Sequence, residues 1–167
     1  MSNPVGYTTV APWIITDDTR ALFEFIGRAF GGVAPALVPL EDGSIGHAEI
    51  RVGDTVLLAF DRRKDWPRTP SLLRVFVADA DATTEAAVVA GAVVVTPPLT
   101  QASGQRGSRV RDPFGNIWWI TATVEDVAPD EVFRRLSDPG YAEAMQEAQK
   151  SLDRELGGPG HVSPIAL

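Results

Sequence analysis

His47 and Glu49 are an imidazole and a carboxylate two positions apart, the pair in this chain whose types and spacing most directly offer chemistry. If the segment is a strand, both side chains project from one face, because successive residues of a strand point to opposite sides. A carboxylate beside an imidazole sets its tautomer and basicity, which is what a general acid/base pair needs. The same residues also suit a half-buried pair that satisfies itself, since no nucleophile or oxyanion donor can be named beside them. His161 is the only other histidine, and the chain has no cysteine. Disulfides, thiolate metal sites and cysteine nucleophiles are therefore excluded.

Composition narrows the partners. With 167 residues, 44% of them hydrophobic and 22% charged, the chain suffices for one well-packed domain. A net charge of −7 with scattered basic residues argues against a nucleic-acid partner, which needs clustered Lys and Arg to neutralise phosphates. No segment approaches the length of a membrane span, and residues 1–6 lack a basic stretch followed by an apolar run. No membrane partner is expected, and a cytoplasmic protein is the simplest reading.

The elements that must position His47 and Glu49 follow from periodicity and turn chemistry. Residues 8–15 read as a strand, and Asp17-Asp18-Thr19 offers N-cap oxygens to a helix over 20–30. Leu22, Phe23, Phe25, Ile26, Ala29 and Phe30 fall at helical spacing, and Gly31-Gly32 stops the helix. Strands are predicted at 36–40, 45–52 and 55–60, the last two joined by Gly53-Asp54 with glycine placed for a type II′ turn. Residues 61–70 are polar, carry two prolines and read as a connecting loop. The β-α-β-β-β order then recurs: strand 72–77, helix 79–90, strand 92–96 ended by Pro97-Pro98, loop 101–107, and strands 108–111 and 117–123. The turn Asp112-Pro113-Phe114-Gly115-Asn116 feeds the last strand, whose adjacent Trp118 and Trp119 must point to opposite faces. Residues 129–156 are helical with a break at Pro139-Gly140. Tyr141, Met145, Ala148 and Leu152 share a face that is expected to pack on its own domain rather than on a second copy. Residues 158–167 read as a disordered tail.

Together, this order and three motifs resemble the vicinal oxygen chelate superfamily of glyoxalase I, ring-cleaving dioxygenases and bleomycin-resistance proteins, and its PhnB-like branch in particular. The motifs are Phe25-Ile26-Gly27-Arg28-Ala29-Phe30-Gly31, Gly46-His47-Ala48-Glu49-Ile50 with Val52-Gly53-Asp54, and Asp112-Pro113-Phe114-Gly115-Asn116. The resemblance implies an α+β fold: paired βαβββ modules with sheets curled around one cleft and helices outside, plus a C-terminal helical extension. It places the family domain at residues 1–125, with modules over about 8–60 and 71–124, and the extension at 126–157.

The family's metal enzymes carry one ligand on each of four strands, and the resemblance puts those positions at Ala11, Glu49, Leu72 and Trp119. Only Glu49 is a donor, whereas a protein-held divalent ion generally needs three or more. No metal and no cofactor are expected. Side-chain alternation then gives the cleft Trp13, His47, Glu49, Arg51, Phe60, Arg74, Phe76 and Trp119, and sends Trp118 and Ile120 to the helix-covered core; the loop 103–107 reads as a mobile rim. Trp119 either stacks on a ligand or fills the cleft.

The resemblance thus implies a metal-independent small-molecule binding protein of the glyoxalase/bleomycin-resistance type that takes an aromatic or amphipathic compound. The alternative is a metal-independent lyase, isomerase or cyclase using His47 and Glu49 as acid and base. Metal-dependent glyoxalase or dioxygenase activity ranks third. Members of the family often pair, so a homodimer is expected.

Overall fold

Each half of the chain supplies one amphipathic helix and four strands with an apolar face to cover, and each half folds around that face. The computed structural model describes residues 7–157. The first module is β1 (Trp13–Thr16), α1 (Thr19–Phe30), β2 (Val33–Pro39), β3 (Ile45–Val52) and β4 (Thr55–Asp61). The second is β5 (Leu72–Phe76), α2 (Ala80–Val89), β6 (Val93–Thr100), β7 (Gln105–Arg111) and β8 (Ile117–Thr123). Helices α3 (Pro129–Leu136) and α4 (Pro139–Gly157) follow. The sheets run β1-β4-β3-β2 and β5-β8-β7-β6. In each, the first pairing is parallel and the others antiparallel.

Local chemistry fixes the ends of the elements. The Asp18 carboxylate accepts from the Ala21 amide at 3.0 Å to cap α1, and Gly31, at φ 68°, closes the helix in the left-handed conformation. The Asp79 carboxylate caps α2 in the same way through the Ala82 amide. Gly53 takes the positive φ of a type II′ hairpin while Asp54 stays on the negative side. Helices α1 and α2 pack on each other as well as on their sheets. One core therefore runs through both modules and includes Leu22, Ile26, Ile50, Ala87, Val110, Trp118 and Ile120. The Phe30 ring lies 4.7 Å from that of Trp118 and bridges the halves.

Four expectations are corrected. Strand β1 is confined to Trp13–Thr16, whereas β2 begins earlier, at Val33. Strand β6 passes through Pro97-Pro98 to Thr100, because it is an edge strand and its register slips between Thr96 and Leu99, where prolines need not donate to a neighbour. Residues 103–107, expected as a mobile rim, are held in a hairpin: β7 starts at Gln105, and the Gly104 carbonyl accepts from the Val124 and Glu125 amides at 2.9 and 3.1 Å.

Helix α4 packs on the second sheet. The Ser151 and Thr96 hydroxyls meet at 2.6 Å in a buried contact, Arg109 Nη1 donates to the Ala148 carbonyl at 2.7 Å, and Arg111 pairs with Glu155 at 2.6 Å. The expected tail at 158–167 lies outside the described residues. Among the described residues no helix is long and apolar enough to cross a membrane.

The turn before β8 is closed by the buried Asp112 carboxylate. Its Oδ1 accepts the amides of Phe114 and Asn116 at 2.9 and 2.8 Å, and its Oδ2 accepts Asn116 Nδ2 and Trp118 Nε1 at 2.8 and 2.9 Å. Asp112→Ala leaves four donors without an acceptor and is expected to lower stability by roughly 3 kcal/mol or more. The midpoint of urea unfolding, followed by tryptophan fluorescence, measures this.

Candidate functional site

The β3–β4 register sets Glu49 opposite Leu58 and Arg51 opposite Val56. Ala48, Ile50, Leu57 and Ala59 alternate with these and enter the core beneath α1, so His47 and Glu49 stand on the open face of the first sheet. His47 Nε2 lies 3.1 Å from Glu49 Oε1, with side chains 38% and 25% exposed. The Tyr7 hydroxyl also bonds the Glu49 carboxylate. That bond first, and the His47 contact second, hold Glu49 below the usual carboxylate range, with Arg51 adding a weaker pull. The same carboxylate holds the Tyr7 phenol above its usual value.

A run of rings borders this pair. Trp13 meets His47 edge-on at 5.6 Å and Phe60 at 5.4 Å, and Phe60 meets Trp66 at 6.0 Å. Beside them opens a groove of about 780 Å³, lined by Trp13, Phe60 and Trp66 with Arg62, Arg63 and Lys64. The Arg63 guanidinium sits over the Trp66 ring at 5.2 Å. Arg62 is committed to Asp17 at 2.7 Å and to the Trp66 carbonyl, which fixes the indole at the groove. Sequence reasoning missed Trp66 and Tyr7. A large aromatic within an otherwise polar loop was the available signal for Trp66. Tyr7 reaches Glu49 only through space, from ahead of β1.

The other three expected residues gather on the second sheet. Arg74 lies over Trp119 at 4.6 Å and over Phe76 at 4.9 Å, while bonding Thr121 and Gln105 at 3.1 and 2.6 Å. Arg109 approaches the same Trp119 ring at 4.5 Å. The two guanidiniums come from the strands on either side of β8, so Trp119 is not a bare stacking surface. Arg109 was also missed. Its signal was the internal repeat: Trp13, Glu49 and Leu58 occupy the register places that Arg74, Arg109 and Trp119 occupy in the second module. Trp119 therefore corresponds to Leu58, and Glu49 to Arg109. The eight residues expected in one cleft form two groups. No hydrogen bond or ring contact joins Trp13, His47, Glu49 or Phe60 to Arg74, Phe76 or Trp119 among the described residues. A cavity against Trp119 is walled by α4 and not by the first sheet.

The metal of the family's enzymes does not fit this donor set. Ala11, Leu72 and Trp119 offer no ligand atom, and among the described residues no three His, Cys, Asp or Glu side chains are placed to hold an ion.

Two βαβββ modules, each a four-stranded sheet with its own helix packed on one face, define the glyoxalase-like architecture. Residues 5–120 match the family described as Glyoxalase/Bleomycin resistance protein/Dioxygenase superfamily, and the chain belongs to it. It is 34% identical over 142 residues to the uncharacterized protein Mb0911c of Mycobacterium bovis, covering 78% of this chain and 93% of that one. TioX from Micromonospora sp. ML1 superposes with a TM-score of 0.59 at 23% identity, over 70% of this chain and 98% of that chain. A PhnB protein from Bacillus cereus does so with a TM-score of 0.55 at 12% identity, over 69% and 99%. These two solved structures share the fold.

The Tyr7–Glu49–His47 contacts have a signature in pH. Because the folded Glu49 carboxylate titrates below its ordinary range, its stabilising contribution is present above that range and is lost as pH falls through the folded value. At the alkaline end, the chain's two tyrosines make the phenol of Tyr7 resolvable by ultraviolet titration. Glu49→Gln is expected to bring the Tyr7 midpoint down toward about 10, and an unmoved midpoint contradicts the contact.

Proposed function

We propose that the protein is a cytoplasmic, metal-independent small-molecule binding protein that holds an aromatic or amphipathic compound on the open face of its first sheet and works as a homodimer. The observation that carries this reading is the ring series Trp13, Phe60 and Trp66 along an open groove, with Trp13 46% and Trp66 37% exposed. Large aromatic surface left in contact with water is unfavourable unless something covers it. Apolar surface with a few oriented polar groups is what a small-molecule site requires, and here Arg63 and Lys64 stand in the groove wall beside the rings. The compound is assigned to Trp13 rather than to a position between Trp13 and Trp119, because arginines already flank Trp119. Leu72 and Phe76, 59% and 64% exposed on the edge strand β5, support association with a second copy.

A second reading has its own observation. The 3.1 Å contact between His47 and Glu49 suits a lyase, isomerase or cyclase in which the anionic carboxylate orients the imidazole and the imidazole moves the proton. No step in either reading passes through a metal.

Titration with the aromatic anion anilinonaphthalene sulfonate separates these readings. Under the binding reading, Trp13→Ala weakens its affinity by about 1 kcal/mol, roughly five- to tenfold, EDTA changes nothing, and His47→Ala has little effect. Unchanged affinity in Trp13→Ala refutes the assignment to the first sheet. If a co-purifying compound turns over, loss of turnover in His47→Ala with binding retained selects the enzymatic reading.

A further inference from the structure

A cavity of about 170 Å³ lies between the second sheet and α4, walled by Thr96, Ser108, Arg109 and Trp119 from below and by Met145 and Gln149 from above. We infer that this chamber binds a small carboxylate with a compact apolar or single-ring body, Arg109 supplying the countercharge and Trp119 an apolar wall. The site shares no residue with the first-sheet groove and does not depend on its assignment.

The inference rests on an uncompensated buried charge. Arg109 is 7% exposed and is the one buried arginine or lysine among the described residues. Its Nη1 donates to two neutral acceptors, the Ala148 carbonyl at 2.7 Å and Thr96 Oγ1 at 3.3 Å. Its Nε is buried without a partner, and its Nη2 makes no hydrogen bond to the described residues. No carboxylate of the described residues lies within ion-pair distance of it. Arg106, Arg111 and Arg135, by contrast, are paired with Asp81, Glu155 and Glu125. In a chain of net charge −7, a shortage of carboxylates does not account for this.

Burying a guanidinium without an opposite charge is costly, and an incoming carboxylate restores what the protein leaves out. Burial holds Arg109 below the usual arginine range, with Asp153 acting on it only as a distant charge. The volume matches the ligand class: an apolar cavity of about 150 Å³ takes up benzene. The Thr96 hydroxyl and the Gln149 amide supply further polar groups in the wall. Met145 adapts its shape readily to an apolar body.

Benzoate and its neutral isostere benzamide are the probes, followed by amide and indole N–H shifts in the full-length, isotope-labelled protein. Benzoate is expected to move the Trp119 indole and Gly107 amide signals saturably, with at least tenfold higher affinity than benzamide, and to leave the Trp13 indole unmoved. Arg109→Gln is expected to remove the preference for the acid. Met145→Trp, which keeps Arg109 and fills the chamber, is expected to abolish both interactions in a protein whose spectrum stays folded, and it carries the test if Arg109→Gln fails to fold. Equal affinity for the two probes, no binding of either, shifts confined to Trp13, or benzoate binding that survives Met145→Trp overturns the inference.

Discussion

A single buried carboxylate organises the second module. Asp112 is 1% exposed and accepts four N–H donors from the five residues that follow Pro113, so its charge is distributed over a turn that would otherwise leave those donors unmet. The Trp118 indole is one of the four, which ties that ring inward. Strand geometry then turns Trp119 to the opposite face. The same turn governs a pairing that no hairpin can set. Strands β5 and β8 are parallel and distant in sequence, and Asn116 Oδ1 takes the Ser71 amide at 3.0 Å while the Ser71 carbonyl takes the Ile117 amide at 2.9 Å. Leu72 is thereby placed beside Ile117 and Arg74 beside Trp119. In the first module Asp61, at the end of β4, accepts the Thr19 and Ile45 amides at 2.8 and 2.7 Å and binds the start of α1 to the start of β3.

The modules share topology but differ in the chemistry of their open faces. The first presents a carboxylate, an imidazole and exposed rings, whereas the second surrounds one indole with two guanidiniums. Gly107 shows how closely that second face is fitted. A Cβ there would stand 2.7 Å from the Ile120 carbonyl oxygen and 3.2 Å from Trp119 Nε1, so a side chain would displace the indole or part the strands. Helix α4 lies on the second face through Thr96–Ser151 and Arg109–Ala148, whereas on the first Trp13 stays 46% exposed while Val56 and Leu58 are buried.

Much of this architecture was legible from one sequence because its signals are local. The spacing of Leu22, Phe25, Ile26 and Ala29, the glycine of the Gly53-Asp54 hairpin, and the opposed directions of Trp118 and Trp119 are set within a few residues of the chain. What escaped depends on neighbours far away. Pro97-Pro98 reads as a strand terminator until the strand is known to lie at a sheet edge. Trp66 belonged to a loop with no periodicity, and Tyr7 and Arg109 gain their surroundings only when β3, β8 and α4 are assembled around them. The expectation of one shared cleft grouped residues by strand face, but strand face alone does not determine which sheet face meets which.

That separation limits how the two faces can communicate. Binding at the groove beside Trp13 and in the chamber beneath α4 would use no common residue, so coupling between them must pass through the shared core. The available route is physical and short. Trp13 adjoins Ile14 on β1, Ile14 belongs to the same cluster as Leu22, Ile26 and Trp118, and Phe30 meets Trp118 at 4.7 Å one position from Trp119. Trp118 is also held by Asp112, which fixes the inward ring and makes this route stiff. Coupling requires an element with two arrangements that both sites bias. The buried carboxylate that gives the second module its register therefore also anchors Trp118, the ring through which such coupling would have to pass.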